Sequence, residues 1–427
     1  MQAEQILNLV PSEYWDYNLT DLMRGAVTAF SARRKGPDSQ LRIPGIGCCV
    51  PVRSARAAIV IALKALALTP EASVAVPLYS CPVVFAAIKA AGHRPRFVDI
   101  DPDTYCLSPA DLAAKSADVQ AVIAVHMFGN ACDMQAIRTA VPDKPIIEDC
   151  AQGIGSCIDG RTLGSFGDIA VFSFRSGKYI SSGEGGAMHC AQKEIESRIV
   201  ELIAQLPVPT RVDELIHTVK TYCRSKLRSK PLWGAIGERL WSSYNEKVSF
   251  TSQAPIVMGR MYETDRVTAI RRLPLLASLI AKQRANAQYY SQQLKVDPDM
   301  LCREKPGQFF NRMQYPVLPP TPEHCDELAS RLRRSFISTA RPYKEIAAIA
   351  AKYYGYNGDC PQSERIAKTV IVIPCHHALT SADRERIGAT VNRAWAEISS
   401  HRRNTNIATA PLLHGDSQRI TNSHHCS

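Results

Sequence analysis

No stretch of this chain stays apolar for the ~20 residues that a membrane-crossing helix requires. The most apolar segment, residues 57–68, is interrupted by Lys64. The opening residues, Met-Gln-Ala-Glu-Gln, carry no basic region followed by an apolar core, so no secretory signal is read and a cytoplasmic location is expected. Paired-cysteine spacing is missing too. The 14 cysteines are scattered, with no C-x-x-C pair, which argues against a zinc site and against a disulfide framework. They are expected to be small buried apolar side chains in a reducing compartment. Internal repeats and a helix-turn-helix signature are also absent, and nucleic acid is not an expected partner. The formal charge of +11 leaves an anionic membrane or an acidic small substrate open. The basic clusters (Arg33-Arg34-Lys35, residues 224–230, residues 331–334, Arg402-Arg403) are dispersed, and each is readable as a solvated face.

What is present is a composition, 45% hydrophobic and 21% charged over 427 residues, of a soluble globular protein with one large domain and a smaller second one. Between residues 50 and 190 strand and helix patterns alternate. Strands are expected at 73–77, 96–100, 121–128, 144–150, 168–174 and 186–190, and helices at 57–68 and 83–91. Such alternation implies crossover units and a mostly parallel central sheet, an α/β fold. Further on, helices are expected at 194–206 and 265–294, the latter started or kinked by Pro274. Strand and helix signals of a smaller α/β domain follow (314–318, 370–373, 322–334, 381–398). The expected organisation is an N-terminal arm (1–45), a large domain (46–260) with a basic, aromatic helical insertion at about 207–250, a connecting helix with a small domain (261–400), and a polar, disordered tail (401–427).

Two side chains fall where such sheets bind ligands, beyond the carboxyl ends of the strands. Lys178 stands five positions after Ser173 in Val171-Phe-Ser-Phe-Arg-Ser-Gly-Lys178, just before Ser181-Ser-Gly-Glu-Gly-Gly186. Asp149 ends the apolar run in Ile146-Ile-Glu-Asp-Cys-Ala-Gln152. A lysine on a Gly/Ser-rich loop and an aspartate at a strand tip are the two groups that a pyridoxal 5'-phosphate (PLP) enzyme needs. The lysine carries the cofactor covalently, and the carboxylate keeps the ring nitrogen protonated so that the ring can draw electrons. His126, in the middle of an apolar strand, reads as a satisfied core histidine.

With these residues in order, the chain resembles the DegT/StrS aminotransferases, PLP enzymes of fold type I that mostly aminate keto-sugars carried on nucleotides. The resemblance runs from about Val52 to Ile398. It is densest from Asp149-Cys-Ala-Gln-Gly-Ile-Gly through Gly160-Arg-x-x-Gly-Ser-x-Gly-Asp168 to Ser173-Phe-x-x-x-Lys178 and Gly183-Glu-Gly-Gly186. Pro77-Leu-Tyr-Ser-Cys81, residues 92–100 and residues 372–380 look like further landmarks. The resemblance implies that Lys178 holds PLP and moves the proton, that Asp149 pairs with the ring nitrogen, and that Gln152 lies near the ring's phenolic oxygen. It implies that Ser173 and the helix start at Ser54-Ala55-Arg56 hold the phosphate, where the family has Gly-Thr in place of Ala55-Arg56. Cys81 stands where many members stack an aromatic ring on PLP, and Ile154 replaces a family histidine. Tyr343 resembles a tyrosine near the substrate cleft. His376 and His377 follow a strand end, where substrate contact competes with plain surface placement.

The implied reaction takes an amino group from an amino acid, by family habit glutamate, and gives it to a keto-sugar acceptor, with the chain expected as a homodimer. Open alternatives are a cyclitol or other small ketone as acceptor, and a catalytically silent regulatory protein of the same fold. A related sugar dehydratase, which carries histidine in place of the lysine, is disfavoured by Lys178. Separately, the basic residues Arg224, Lys226, Arg228 and Lys230 precede the stripe Trp233, Ile236, Leu240 and Trp241. That segment, 224–241, either rests on an anionic membrane surface or packs on the body of the protein.

Overall fold

A computed structural model of the chain describes residues 8–31, 40–238 and 256–408, and an eight-stranded sheet lies at its centre. Its strands are β1 (Leu41–Ile43), β2 (Gly47–Val52), β3 (Ser73–Pro77), β4 (Arg94–Val98), β5 (Val119–Val125), β6 (Ile146–Asp149), β9 (Ile169–Ser173) and β10 (Gly186–Cys190). The short β7 (Cys157–Ile158) and β8 (Arg161–Thr162) pair outside it with β11 (Gln308–Phe309). Across the main sheet the order is β1-β2-β10-β9-β6-β5-β3-β4. From β4 through β3, β5 and β6 to β9 every pairing is parallel, while β10, β2 and β1 add antiparallel ladders at one side. The mostly parallel α/β architecture expected from the alternation is therefore present. The edge strand β1 and its neighbour β2 were not expected. β1 has three residues, and β2 is interrupted by Pro51.

The strands buried on both faces read as continuous apolar runs. In β5 only Gln120 reaches partial exposure, and all four residues of β6 are buried. Helix α1 (Leu19–Ser31) precedes the sheet. Helices α2 (Ala55–Ala65), α3 (Pro82–Ala90), α4 (Pro109–Lys115) and α5 (Met134–Ala140) make the crossovers. The Ala57 N–H donates to Ser54 Oγ at the start of α2 at 3.3 Å, and Pro82 occupies the first turn of α3, where no backbone donor is needed. After β10 come α6 (Lys193–Ala204) and α7 (Arg211–Leu227), the latter begun by a reciprocal Thr210–Asp213 capping box. The single helix expected at 265–294 is two helices, α8 (Glu263–Arg272) and α9 (Leu276–Gln293), separated by a 3₁₀ turn that holds Pro274.

A second apolar cluster joins α9 to α10 (Pro322–Arg334), to the two-stranded pair β12 (Tyr315–Val317) and β13 (Ile371–Ile373), and to the last helix. Helices α11 (Ile346–Tyr354) and α12 (Pro361–Thr369) pack instead on the main core. The last helix, α13 (Ser381–Ala408), runs on past residue 400, where the expected tail begins. No glycine or proline interrupts residues 401–408, so nothing stops the helix there. The rest of the tail, from 409, lies outside the described residues.

The N-terminal arm is fastened at several points. Asp21 on α1 pairs with Arg272 at 2.7 Å and also with Arg271. Tyr17 N–H donates to Ser225 Oγ on α7 at 3.1 Å, and that hydroxyl donates in turn to the Trp15 carbonyl. The outward face of α1 carries an apolar row, Leu19, Met23, Val27 and Phe30, each more than half exposed. In the 224–241 segment, Trp233 and Arg228 point inward, 3% and 5% exposed, so these two do not contribute to an outer membrane-facing stripe. Ile236 is exposed; Leu240 and Trp241 lie outside the described residues.

Candidate active site

The register of the parallel strands brings two loops together. Asp149, the last residue of β6, is paired with Val125 of β5 and Val171 of β9, and Ser173 ends β9. The chain then folds back on itself before β10: Phe174 N–H donates to the Gly185 carbonyl (3.0 Å), and Ser176 N–H to the Gly183 carbonyl (3.0 Å). Within this hairpin Lys178 N–H bonds the Arg175 carbonyl (3.0 Å), which turns the lysine over the strand ends.

Burial is the main reason that the Lys178 amine falls from 10.5 to about 8, and Arg175 adds to the effect. The charges of Glu13, Asp149 and Cys81 act in the opposite direction, so all three lie within electrostatic reach of Nζ. Asp149 is 6% exposed, and among the described residues its carboxylate accepts one hydrogen bond, from Ala151 N–H at 2.9 Å. Burial pushes its carboxyl above the ordinary value despite that bond and the nearby Lys178 and His126. A carboxylate held there with so little support is stabilised by a cationic partner.

A second feature faces Asp149 from the side of β2. Gly186 pairs with both Ser173 and Val52, and Ser54 bridges Gly185, so the start of α2 is drawn against the start of β10. A Cβ at Gly186 would stand 2.7 Å from Ala55 N; only glycine permits this approach. The Ser173 hydroxyl is buried there, its one contact among the described residues a long bond from Arg175 N–H (3.5 Å). Arg56, half-buried in the first turn of α2, has no ion pair or hydrogen bond among the described residues. Backbone donors at a helix start, a hydroxyl and a guanidinium are the kinds of group that hold an anion.

The remaining expected residues divide. Cys81 precedes α3, half-buried, and its thiol lies in electrostatic reach of Lys178 and Tyr343. The Tyr343 phenol is raised by burial and then by Cys81, with Arg175, Asp149 and Glu13 also acting on it, which places it over the same cleft. Its ring meets Tyr79 edge-on at 5.6 Å. Gln152 accepts from Phe128 N–H (3.2 Å), a contact across two strand-end loops, and its amide nitrogen lies against Met127 Sδ (3.4 Å). His376 is half-buried. It lines the narrow cavity beside Lys178, its Nε2 meets the Pro11 carbonyl (3.3 Å), and Tyr14 stacks on it at 5.7 Å. Burial, followed by the charge of His377, lowers it to about 3, so it is neutral. His126 is satisfied inside the core, accepting from Cys132 N–H and bonding Glu148 (3.1 Å).

Sequence reasoning missed the arm. Glu13 reaches the Lys178 cleft with Trp15, and both touch the hairpin at Gly177, where a Cβ would stand 2.9 Å from Trp15 Nε1 and 3.1 Å from Glu13 Oε2. Its partner Arg228 had been read as part of a basic surface cluster. The only sequence signal was the aromatic run Tyr14-Trp-Asp-Tyr17 in a segment with no other pattern.

Residues 43–392 match the model of the DegT/DnrJ/EryC1/StrS aminotransferase family. An L-glutamine:2-deoxy-scyllo-inosose aminotransferase of Streptoalloteichus tenebrarius is 32% identical over 266 residues, 59% of this chain and 57% of that protein. The chain thus matches little more than half of that relative's length. A UDP-N-acetyl-3-dehydro-alpha-D-glucosamine 3-aminotransferase of Acidithiobacillus ferrooxidans is 27% identical over 362 residues, 82% of this chain and 84% of that protein. The crystal structure of the aminotransferase TlmJ from Streptoalloteichus hindustanus superposes with a TM-score of 0.70 at 21% identity, covering 91% of this chain and all of that one. That likeness establishes the shared fold.

Proposed function

Because this chain belongs to the DegT/DnrJ/EryC1/StrS aminotransferase family, we propose that it is a PLP-dependent aminotransferase that moves an amino group from an amino acid, glutamate or a close analogue, to a keto-sugar carried on a nucleotide. The observation that carries this reading is the placement of Lys178, its amine lowered to about 8, beside the under-supported carboxylate of Asp149 at neighbouring strand ends. The residues fit the cofactor: Asp149 would hold the ring nitrogen's proton, and Ser173, the start of α2 at Ala55 and Arg56 would hold the phosphate. Cys81, Gln152 and Tyr343 would border the ring. When bound, PLP supplies an electron sink that stores and returns an amino group.

The Lys178 amine performs the proton transfers at the substrate carbon, and a value near neutrality suits it to take and give the proton alike. The Tyr343 ring and the arm close the cleft and limit water. The Nδ1 of His376, buried without a partner among the described residues, is available to a substrate hydroxyl. A nucleotide-linked acceptor suits a chain of charge +11, and the Acidithiobacillus relative supports it. The inosose relative supports the second reading, in which the acceptor is a cyclic keto-polyol. The proposal includes a homodimer, for which the apolar row on α1 is one surface, working in the cytoplasm. Among the described residues no helix is long and apolar enough to cross a membrane.

The test is to add PLP to the purified protein and record the visible spectrum before and after excess glutamate. A band that forms and then shifts supports the reading; absence of any band removes it. Loading needs the neutral amine, so its rate is expected to climb with pH through about 8 and then level off. The same shift sets a stability trend for the cofactor-free protein. The folded amine titrates below the 10.5 of free lysine, so between about 8 and 10.5 the unfolded chain binds more protons. Stability should rise with pH across that window and fall as the pH drops through it, measurable as Tm in thermal melts. At the proposed phosphate site, Ser173→Ala is expected to weaken PLP binding by about tenfold, the worth of one hydrogen bond to a charged group. Fluorescence titration would measure it.

A further inference from the structure

Glu13 enters the cleft from outside the sheet, and the proposed reaction does not use it. Its Oε2 lies 3.4 Å from Arg228 and accepts from the Trp15 indole N–H at 3.4 Å. Burial alone would raise this carboxyl, yet Arg228, Arg175 and Lys178 outweigh it and hold Glu13 below the ordinary value. Of these, Arg228 is the cation in contact with the carboxylate.

The receptor is built rather than incidental. The Arg228 guanidinium lies over the rings of Trp15 (4.7 Å) and Trp233 (4.8 Å), and the residue is 5% exposed. Two ring contacts restrict the orientation of the fork before any ligand arrives. Glu13 itself is less firmly set, its side chain 28% exposed. An amino acid whose nitrogen reacts at the Lys178 position carries its own carboxylate two bonds away. That carboxylate must land close to Lys178. The diphosphate of a nucleotide-linked sugar hangs many bonds beyond its keto carbon and does not need this position.

We propose that Arg228 forms the receptor for the carboxylate of the amino donor, and that the Glu13 carboxylate occupies it until the donor displaces it. The proposal rests on the aminotransferase reading. Donor binding then exchanges one carboxylate for another at the same guanidinium, and Glu13 turns toward solvent. Donor affinity is set by this competition, so the N-terminal arm tunes the concentration at which the enzyme is half-saturated.

Calorimetric titration of the PLP-loaded protein with glutarate, a dicarboxylate without an amine, tests this without turnover. Glu13→Gln removes the competing charge and is expected to tighten glutarate binding by about tenfold or more; Arg228→Gln, alone or with Glu13→Gln, should weaken it by about tenfold or more. Arg228→Lys, which keeps the charge and loses the fork, should fall between. Unchanged or weaker binding in Glu13→Gln would overturn the proposal, as would a double variant that binds as tightly as Glu13→Gln. So would inorganic phosphate binding in preference to glutarate. If the Arg228 variants do not fold, the Glu13→Gln result decides alone. A protein that shows no spectral response to any amino acid, yet follows the glutarate pattern, would fail as an aminotransferase while keeping the receptor.

Discussion

Lys178→Ala is expected to lower turnover at least about 10³-fold, in the range found for removing a positioned general base. The loss has two parts. Without Nζ there is no covalent hold on the cofactor, and no amine at the strand ends to carry the proton. The fold should persist, because the lysine amine is held there against the cost of its burial rather than by a salt bridge; no ion pair joins it to a described residue. Two measurements separate chemistry from folding. Borohydride reduction followed by mass spectrometry should show one cofactor attached to the wild type and none to the variant, while the cofactor-free variant should melt no lower than the cofactor-free wild type. A variant that turned over at the wild-type rate would place the reacting amine elsewhere.

Asp149→Asn is expected to cost about 10²–10³-fold in kcat, the size seen when a preorganised electrostatic partner is neutralised. Asparagine keeps the shape and can still accept the Ala151 N–H bond, so the change is one of charge. Its second effect separates this role from a merely structural one. The Asp149 charge supports the protonated form of Lys178 against burial. Removing it should move the Lys178 midpoint below about 8, and the pH profile of PLP loading should shift the same way. A reduced kcat with an unmoved profile would mean that Asp149 does not face the amine.

Much of this site was legible in the sequence because its residues lie at strand ends, where a buried apolar run stops abruptly on a polar residue. Ile146-Ile-Glu-Asp149 and Ile169-Ala-Val-Phe-Ser173 announce both a strand and its tip. The glycines of 183–186 mark the backbone approach that Gly186 makes to the start of α2. His126 was legible for the opposite reason, since an apolar strand leaves a histidine little choice but to find partners inside. For Arg228 and Trp233 the sequence left membrane contact and packing on the body both open, and both side chains are buried. A basic, aromatic stretch has the same pattern whether its stripe meets lipid or packs over an arm that lies far away in sequence. Glu13 was illegible for that reason as well, because nothing local marks a carboxylate that acts only after a long-range contact forms. His376 carried a strand-end signal like that of Asp149, but its ring serves the Pro11 carbonyl, which no spacing rule foretells. The break between α8 and α9 was half legible: Pro274 placed it, but its form as one 3₁₀ turn depends on packing.

The bond from Tyr17 to Ser225 closes a loop of 208 residues. A ribosome adding about 5–20 residues per second makes the two partners roughly 10–40 s apart. During that interval Trp15 and Tyr17 have no docking helix, while the first strands of the sheet are already being assembled. The lysine hairpin is thus synthesised before the clamp that covers it, which leaves a period in which the newborn chain presents an uncovered amine. Cofactor present during synthesis can reach Lys178 before the arm is fastened, and protein loaded in this way would be expected to fill faster than finished apoprotein given PLP afterwards.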